Sequence, residues 1–171
     1  MEDVAVAAGW LQRRSYVDPD AVGIWGLSYG GYVVLQLLGT HPKLCATGIS
    51  LAGLADVENF QEWACETKFP AVQSPQDVIF GGDPWNAPEE WEAASPVTNM
   101  DRYERPLYSF HGTGDRYVNV EQQEIVVEEL LEHGKEFEAE YYPDEGHVYS
   151  KRAVWERTLR KIDEAFDEHL R

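Results

Sequence analysis

The stretch Gly26-Leu27-Ser28-Tyr29-Gly30-Gly31 constrains this chain more than any other. It reads G-x-S-x-G-G. A short apolar run, 21–25, comes before it, and a segment with apolar residues at helical spacing, 32–38, comes after it. A strand, a tight turn with serine at its apex and a helix form the layout of a nucleophile elbow. The pattern also occurs in ordinary glycine-rich turns, but the flanking strand and helix favour a catalytic serine.

The glycines of this motif fit the crowding of a sharp turn. A serine at the apex has a strained backbone, and the strand and helix beside it approach closely. We expect Gly26 and Gly30 to omit side chains that would collide there, and Gly31 to let the helix approach further. The amide of Tyr29 would lie at the helix N-terminus, directed at an oxyanion formed when Ser28 attacks a substrate.

Segments with helical spacing alternate with short apolar runs along the chain. The predicted helices are residues 2–14, 29–38, 55–69, 88–94, 121–133 and 151–169, and the predicted strands are residues 21–25, 44–51, 106–110 and 137–142. This alternation predicts an α/β fold in which about four parallel strands are flanked by helices on both faces. A Pro- and Gly-rich stretch, 70–88, is expected to pass over the sheet edge. Functional residues gather at the carboxyl ends of strands in such sheets.

Two of these segments carry specific packing expectations. Strand 21–25 shows little polar alternation, which is typical of a parallel strand covered on both faces. Helix 121–133 is expected to face the core with four apolar side chains. These are Val126, Val127, Leu130 and Leu131.

The chain has 171 residues, of which 43% are hydrophobic, and this predicts a single globular domain. No run of about 18 apolar residues is present, and the N-terminal segment lacks the pattern of a secretion signal, so we expect a cytoplasmic protein. The net charge of −17 argues against nucleic acid and anionic membranes as partners. An excess of acids with only five lysines is also typical of adaptation to high salt, although acidity equally favours solubility.

Two further residues complete a candidate catalytic triad. A serine hydroxyl needs a base within hydrogen-bond reach, and the base needs an acid that orients it. Asp115 follows the third predicted strand and His147 follows the fourth, which gives the chain order of α/β-hydrolases. We assign Ser28 as nucleophile, His147 as general base and then acid, and Asp115 as the group that fixes the imidazole tautomer. Alone, Asp115 fits an ordinary turn and His147 a surface loop, but their order favours the catalytic interpretation.

The remaining polar residues give weaker signals. His111 precedes a glycine at a strand end, and we expect it to order the loop that carries Asp115. Cys45 and Cys65 are not in a C-x-x-C pair, and we expect both to be reduced. No metal-ligand spacing and no phosphate- or dinucleotide-binding glycine pattern is present, so we predict neither a metal nor a cofactor.

Four segments of the chain together form a further pattern. They are Asp18 to Tyr32, Ser95-Pro96, His111 to Val118, and Tyr142-Pro143-Asp144-Glu145-Gly146-His147. Together they resemble the prolyl oligopeptidase family, most closely its acylaminoacyl-peptidase and dipeptidyl-peptidase branches. The resemblance covers nearly the whole chain. It implies an α/β-hydrolase domain with Ser28, Asp115 and His147 as its triad. It also implies cleavage of short peptides, with hydrolysis of simple esters as a related activity.

The resemblance also implies where a substrate would bind. The family's acyl pocket corresponds here to Phe60, Trp63 and Val118. Ordinary core packing explains Phe60 and Trp63 equally well, because both lie at helical spacing. Tyr29 is expected to serve twice, through its amide as an oxyanion donor and through its ring as a pocket wall.

The chain departs from the family in what it lacks. Family members carry a β-propeller and about four further strands, one of which leads into the loop with the second oxyanion donor. The resemblance therefore implies a truncated domain, the C-terminal portion of the α/β-hydrolase fold. Strand 21–25 would then have an exposed edge, which favours homo-oligomers or pairing through that edge. Two alternatives stay open: a non-catalytic half-domain that requires the missing strands, and a small carboxylesterase or dienelactone-hydrolase-like protein.

Overall fold

The computed structural model describes residues 1–67 and 82–171. The helices within these ranges are α1 (Glu2–Gln12), α2 (Tyr29–Thr40), α3 (Val57–Glu66), α4 (Pro88–Ala94), α5 (Glu121–Glu132) and α6 (Arg152–His169). The strands are β1 (Gly23–Leu27), β2 (Thr47–Leu51), β3 (Leu107–Gly112) and β4 (Phe137–Tyr142), and a 3-10 helix covers Pro96–Arg102. The end of the predicted third helix, 68–69, and most of the Pro- and Gly-rich stretch lie outside the described residues.

The strands form one parallel sheet in the order β1-β2-β3-β4. Gly26 pairs with Ser50, Ser50 with Ser109, and Ser109 with Ala139, so the four strands run in register across the sheet. Their carboxyl ends therefore share one edge of the sheet. The predicted α/β architecture is confirmed.

Helices cover both faces of the sheet. On one face, α2, the 3-10 helix and α5 enclose a buried cluster, whose members are Val34, Leu35, Leu38, Ala55, Met100, Tyr103, Leu107, Val126 and Leu130. On the other face, α6 packs on a second buried cluster, whose members are Ile49, Leu51, Phe110, Tyr142, Tyr149, Ile162 and Ala165. β3 contributes to both clusters, through Leu107 on one face and Phe110 on the other, because successive side chains alternate between faces.

The first strand is less covered than its sequence predicts. β1 lies at one edge of the described sheet, and the side chain of Trp25 is 53% exposed. Ile24 and Leu27 pack against the clusters on the two faces, so the expected cover on both faces is present only in part. The expected exposed edge is present in the described sheet. In α1, only Ala5 is buried, and the apolar side chains of Val4 and Leu11 are exposed.

Two other predictions concern membrane spans and cysteines. Among residues 1–67 and 82–171, no helix combines the length and apolar character needed to cross a lipid bilayer. Cys45 is buried and Cys65 is exposed, and neither forms a disulfide, which agrees with the predicted reduced state.

Adjacent leucines on α5 test how the helix packs. Leu130 is fully buried, but Leu131, predicted to face inward, is 66% exposed. Since Leu130 is a member of the buried cluster on the α5 face of the sheet, Leu130→Ala should lower the free energy of unfolding by about 2–5 kcal/mol. Leu131→Ala should change it by less than about 0.5 kcal/mol. Urea denaturation of both variants measures the difference, and equal losses would contradict the packing.

Candidate active site

Ser28 lies in a strained turn between strand and helix. It is the single residue between the last residue of β1, Leu27, and the first residue of α2, Tyr29. Its φ of 60° and ψ of −119° lie in a region that residues with side chains rarely adopt. The backbone holds this geometry from two sides. The Ser28 amide donates to Leu51 O at 2.8 Å, and Ser28 O accepts from the Tyr32 amide at 2.9 Å. The predicted elbow is therefore present.

The glycines around Ser28 do not all serve the expected purpose. A Cβ on Gly26 would lie 2.5 Å from Gly30 O, and a Cβ on Gly31 would lie 2.8 Å from Leu51 O. Both positions thus require glycine for the close approach of strand and helix. A Cβ on Gly30 would meet no atom within 4 Å among the described residues outside its own helix. The prediction that Gly30 omits a colliding side chain is wrong, because its Cβ would point away from the strand.

Asp115 lies in a turn after β3, and its buried carboxylate is fully engaged. Oδ1 accepts from the amides of Tyr117 at 2.8 Å and Val118 at 3.0 Å, and Oδ2 accepts from Nδ1 of His147 at 2.7 Å. Burial by itself raises the pKa of this carboxyl. The nearby ring of His111 and the hydrogen bonds from His147 and the two amides outweigh burial and hold the pKa of this carboxyl well below its usual range. Asp115 is therefore ionised at neutral pH.

This hydrogen bond also defines the protonation of the catalytic imidazole. An ionised carboxylate can only accept, so the proton of the shared bond lies on Nδ1 of His147. In the neutral ring, Nε2 then carries a free lone pair and can accept a proton. The tautomer that a general base requires is thus the one that Asp115 stabilises.

His111 orders the loop of Asp115, as predicted. Its buried ring donates from Nε2 to the carbonyl of Val118 at 3.0 Å and lies 3.5 Å from Oδ2 of Asp115. The amide of Val118 in turn donates to Oδ1 of Asp115. His111 therefore joins the end of β3 to the far side of the loop, which fixes the carboxylate between them.

A cavity of about 420 Å³ opens beside the catalytic histidine. It is lined by Gly114, Arg116, Tyr117, Gly146, His147 and Val148. The rings of Tyr117 and His147 lie 5.4 Å apart and are tilted by 36°. The imidazole therefore borders open space on one side and the buried Asp115 on the other, which is the position that a proton carrier needs.

Three residues were predicted to form an acyl pocket, and the structure brings them together. Phe60 and Val118 are buried in one small cluster, and Trp63 packs against it. The rings of Phe60 and Trp63 are stacked with their centroids 5.7 Å apart. Because the Val118 amide donates to Asp115, this cluster adjoins the candidate triad. Its burial fits both a pocket wall and core packing.

Tyr29 directly follows Ser28 at the start of α2. As the first residue of α2, it has an amide without a partner inside its own helix. Its side chain is 68% exposed, and its ring lies 5.5 Å from that of Tyr32. Both the amide and the ring are thus available to a molecule bound at Ser28.

The parallel sheet places Ser28 and His147 at the same edge. In the described part of the chain, no hydrogen bond joins the Ser28 hydroxyl to His147, and no three His, Cys, Asp or Glu side chains are arranged to hold a metal ion. The side chain of Glu145, two residues before His147, is fully buried. Glu145 lies in one of the four segments that carry the family resemblance, but apart from that position the sequence does not distinguish it from the exposed acids.

Comparison of the whole chain with known proteins identifies its relatives. Residues 1–171 match the prolyl oligopeptidase family, Peptidase_S9. The chain belongs to this family of serine peptidases. It is 32% identical over 166 residues to dipeptidyl-peptidase 5 of Porphyromonas endodontalis, and this alignment covers 93% of this chain and 23% of that protein. It is 24% identical over 173 residues to inactive dipeptidyl peptidase 10 of Mus musculus, and this alignment covers 99% of this chain and 20% of that protein.

Solved structures show the same fold. Dipeptidyl peptidase 4 of Porphyromonas gingivalis aligns with a TM-score of 0.80 at 24% identity, over 97% of this chain and 22% of that one. A puromycin hydrolase aligns with a TM-score of 0.82 at 20% identity, over 98% and 24%. The chain therefore has the α/β-hydrolase fold of these peptidases. It spans about a quarter or less of the length of each of these relatives.

Proposed function

We propose that this chain is a serine hydrolase that cleaves peptide bonds of short peptides through an acyl-enzyme. Ser28 is the nucleophile, His147 the general base and acid, and Asp115 the orienting acid. The observation that carries the proposal is the 2.7 Å hydrogen bond from Nδ1 of His147 to the buried Asp115. Membership of a serine peptidase family supports it. Family membership alone is insufficient, because one similar protein is named an inactive dipeptidyl peptidase.

The proposed reaction uses the tautomer described above. The Ser28 hydroxyl attacks the carbonyl carbon of the substrate and gives its proton to Nε2 of His147. The imidazolium that forms is stabilised by Asp115, and the oxyanion of the tetrahedral intermediate accepts from the Tyr29 amide. Nε2 then protonates the leaving amine as the carbon–nitrogen bond breaks. Water gives a proton to the same nitrogen and attacks the acyl carbon. As the bond from that carbon to Ser28 Oγ breaks, Nε2 returns the proton to Oγ, which releases the acid product and restores the Ser28 hydroxyl.

The aromatic cluster is proposed to bind the acyl part of the substrate. Phe60, Trp63 and Val118 pack beside the loop of Asp115, and the exposed ring of Tyr29 stands at the start of α2. An apolar wall on this side would hold the substrate with its carbonyl group over Ser28. The cytoplasmic location stays a prediction.

A second candidate function follows from the edge of the sheet. β1 is an edge strand with Trp25 exposed, and the chain spans only 23% of the relative from Porphyromonas endodontalis. We propose that the chain corresponds to the C-terminal portion of a catalytic domain and associates through this edge, with a second copy or with further strands. Loss of one oxyanion donor costs about 10²–10³ in rate. A half-domain without catalysis is therefore the alternative to an active hydrolase.

Labelling with a fluorophosphonate probe tests the proposal. The native chain is expected to form one covalent adduct, which peptide mass spectrometry places on Ser28, and Ser28→Ala is expected to form none. Heat-denatured chain is the control for nonspecific reaction. An unlabelled chain that is folded by circular dichroism would rule out autonomous catalysis and favour the half-domain. Hydrolysis of short peptide amides compared with simple esters then separates a peptidase from a carboxylesterase.

A further inference from the structure

Glu145 carries a fully buried carboxylate in the loop between β4 and α6. Oε2 accepts from the amide and the hydroxyl of Ser150, the latter at 3.1 Å, and from the amide of Lys151 at 3.3 Å. Oε1 lies 3.0 Å from Nζ of Lys151. Burying a carboxylate is costly unless it is paired and hydrogen-bonded, and this one has four such partners.

These partners fix the segment that follows the candidate base. Ser150 and Lys151 directly precede α6, which begins at Arg152. Amides at the start of a helix lack partners in the helix itself, and a carboxylate is favoured there. Glu145 precedes His147 in the loop, and Ser150 and Lys151 follow it. The side chain of Glu145 therefore connects the two ends of the loop that carries His147 and fixes them at the start of α6.

The backbone of Glu145 fixes the same loop to the loop of the candidate acid. Its carbonyl accepts from the amide of Gly114 at 2.8 Å, one residue before Asp115. The adjacent amide of Asp144 donates to the hydroxyl of Thr113 at 3.0 Å. A Cβ on Gly112 would overlap the Glu145 carbonyl oxygen, which shows how closely the two loops pack. Glu145 thus contacts the loop of Asp115 through its backbone and α6 through its side chain.

We propose that Glu145 is a positioning residue for His147. It does not contact the substrate or the reacting atoms. It fixes the loop backbone so that Nδ1 of His147 stays within hydrogen-bond distance of Asp115. The effect of Glu145 on catalysis rests on the proposed function. Its effect on the tautomer of His147 does not, because the tautomer can be measured without turnover.

The test is the ring tautomer of His147 in the full chain. Long-range ¹H–¹⁵N correlation spectra are recorded at about pH 9, where imidazoles are neutral. Disappearance of one ring system in His147→Asn assigns the signals. In the native chain the proton is expected on Nδ1. Glu145→Ala is expected to leave a folded chain in which the ring exchanges between both tautomers, with acylation of Ser28 slowed about 10²-fold because of misplacement of the base.

Two further variants separate positioning from a general loss of stability. In Glu145→Gln, the amide oxygen still accepts from the Ser150 and Lys151 amides but the charge is lost, so a partial shift is expected. Glu138→Gln is the matched control, because it removes another glutamate–lysine pair between β4 and α6, with Lys161 at 2.6 Å, away from the loop. It is expected to leave the tautomer unchanged.

Several outcomes would overturn the proposal. They are a native chain with the proton on Nε2, a folded Glu145→Ala with Nδ1 still fully protonated, and an equal disturbance in Glu138→Gln. If Glu145→Ala does not fold, Glu145→Gln decides, and an unchanged tautomer there means that Glu145 serves only stability. If the probe does not label Ser28 but Glu145→Ala still alters the tautomer, the positioning role stands and only the proposed catalysis fails.

Discussion

Replacing Asp115 with asparagine is expected to slow the acylation of Ser28 about 10⁴-fold while leaving the chain folded. The carboxylate accepts three hydrogen bonds, from the amides of Tyr117 and Val118 and from Nδ1 of His147. The oxygen of an asparagine can still face the two amides, but its NH₂ group then faces Nδ1. Two donors cannot pair, so the ring turns to the tautomer protonated on Nε2, which cannot accept the proton of Ser28.

The measurement is the time course of fluorophosphonate labelling. Asp144→Asn is the matched control, because this exposed acid lies in the neighbouring loop and its positive φ of 60° suits asparagine as well. It should be labelled at the native rate. Labelling of Asp115→Asn at a comparable rate would mean that the 2.7 Å contact does not orient the base, and another acid would have to be sought.

Local sequence patterns predict the bounds of helices and strands well where a residue with a specific backbone preference, such as proline or glycine, lies at or near a boundary. Helix 88–94 begins at Pro88 and strand 137–142 follows Gly134, and the structure shows both with the predicted bounds. The order of Ser28, Asp115 and His147 also follows from the sequence. Each of them comes after a strand, and parallel strands bring their carboxyl ends to one edge.

Contacts between distant segments are not contained in such patterns. The apolar spacing of α5 includes both Leu130 and Leu131, but only the packing in the folded chain shows that Leu130 is the buried one. Trp25 is apolar, which predicts burial. The sequence does not show that β1, the strand of Trp25, lies at the edge of the described sheet. Glu145 appears polar and therefore exposed, and its burial depends on amides and a lysine that the fold brings to it. The contacts that bury a polar side chain such as Glu145 are the part of this site that sequence alone conceals.

Gly26 and Gly30 appear equivalent in the sequence motif, and the structure predicts opposite results for them. A Cβ on Gly26 would lie 2.5 Å from the carbonyl oxygen and 2.8 Å from the Cα of Gly30, both of which are backbone atoms that cannot turn aside. Gly26→Ala should therefore separate β1 from α2 at the elbow. We expect a loss of about 1–3 kcal/mol in the free energy of unfolding. Labelling should slow at least about 10²-fold, because Ser28 moves away from its base.

Gly30→Ala provides the matched control within the same turn. Gly30 lies in α2, and a Cβ there would meet no atom within 4 Å among the described residues outside its own helix. Alanine in a helix is favoured over glycine by about 0.5–1 kcal/mol, so this variant should be slightly more stable than the native chain. Urea denaturation and labelling of both variants give the comparison. Equal effects would mean that the elbow is not held by the contact between Gly26 and Gly30. The strain at Ser28 would then have to be maintained by its backbone hydrogen bonds with Leu51 and Tyr32.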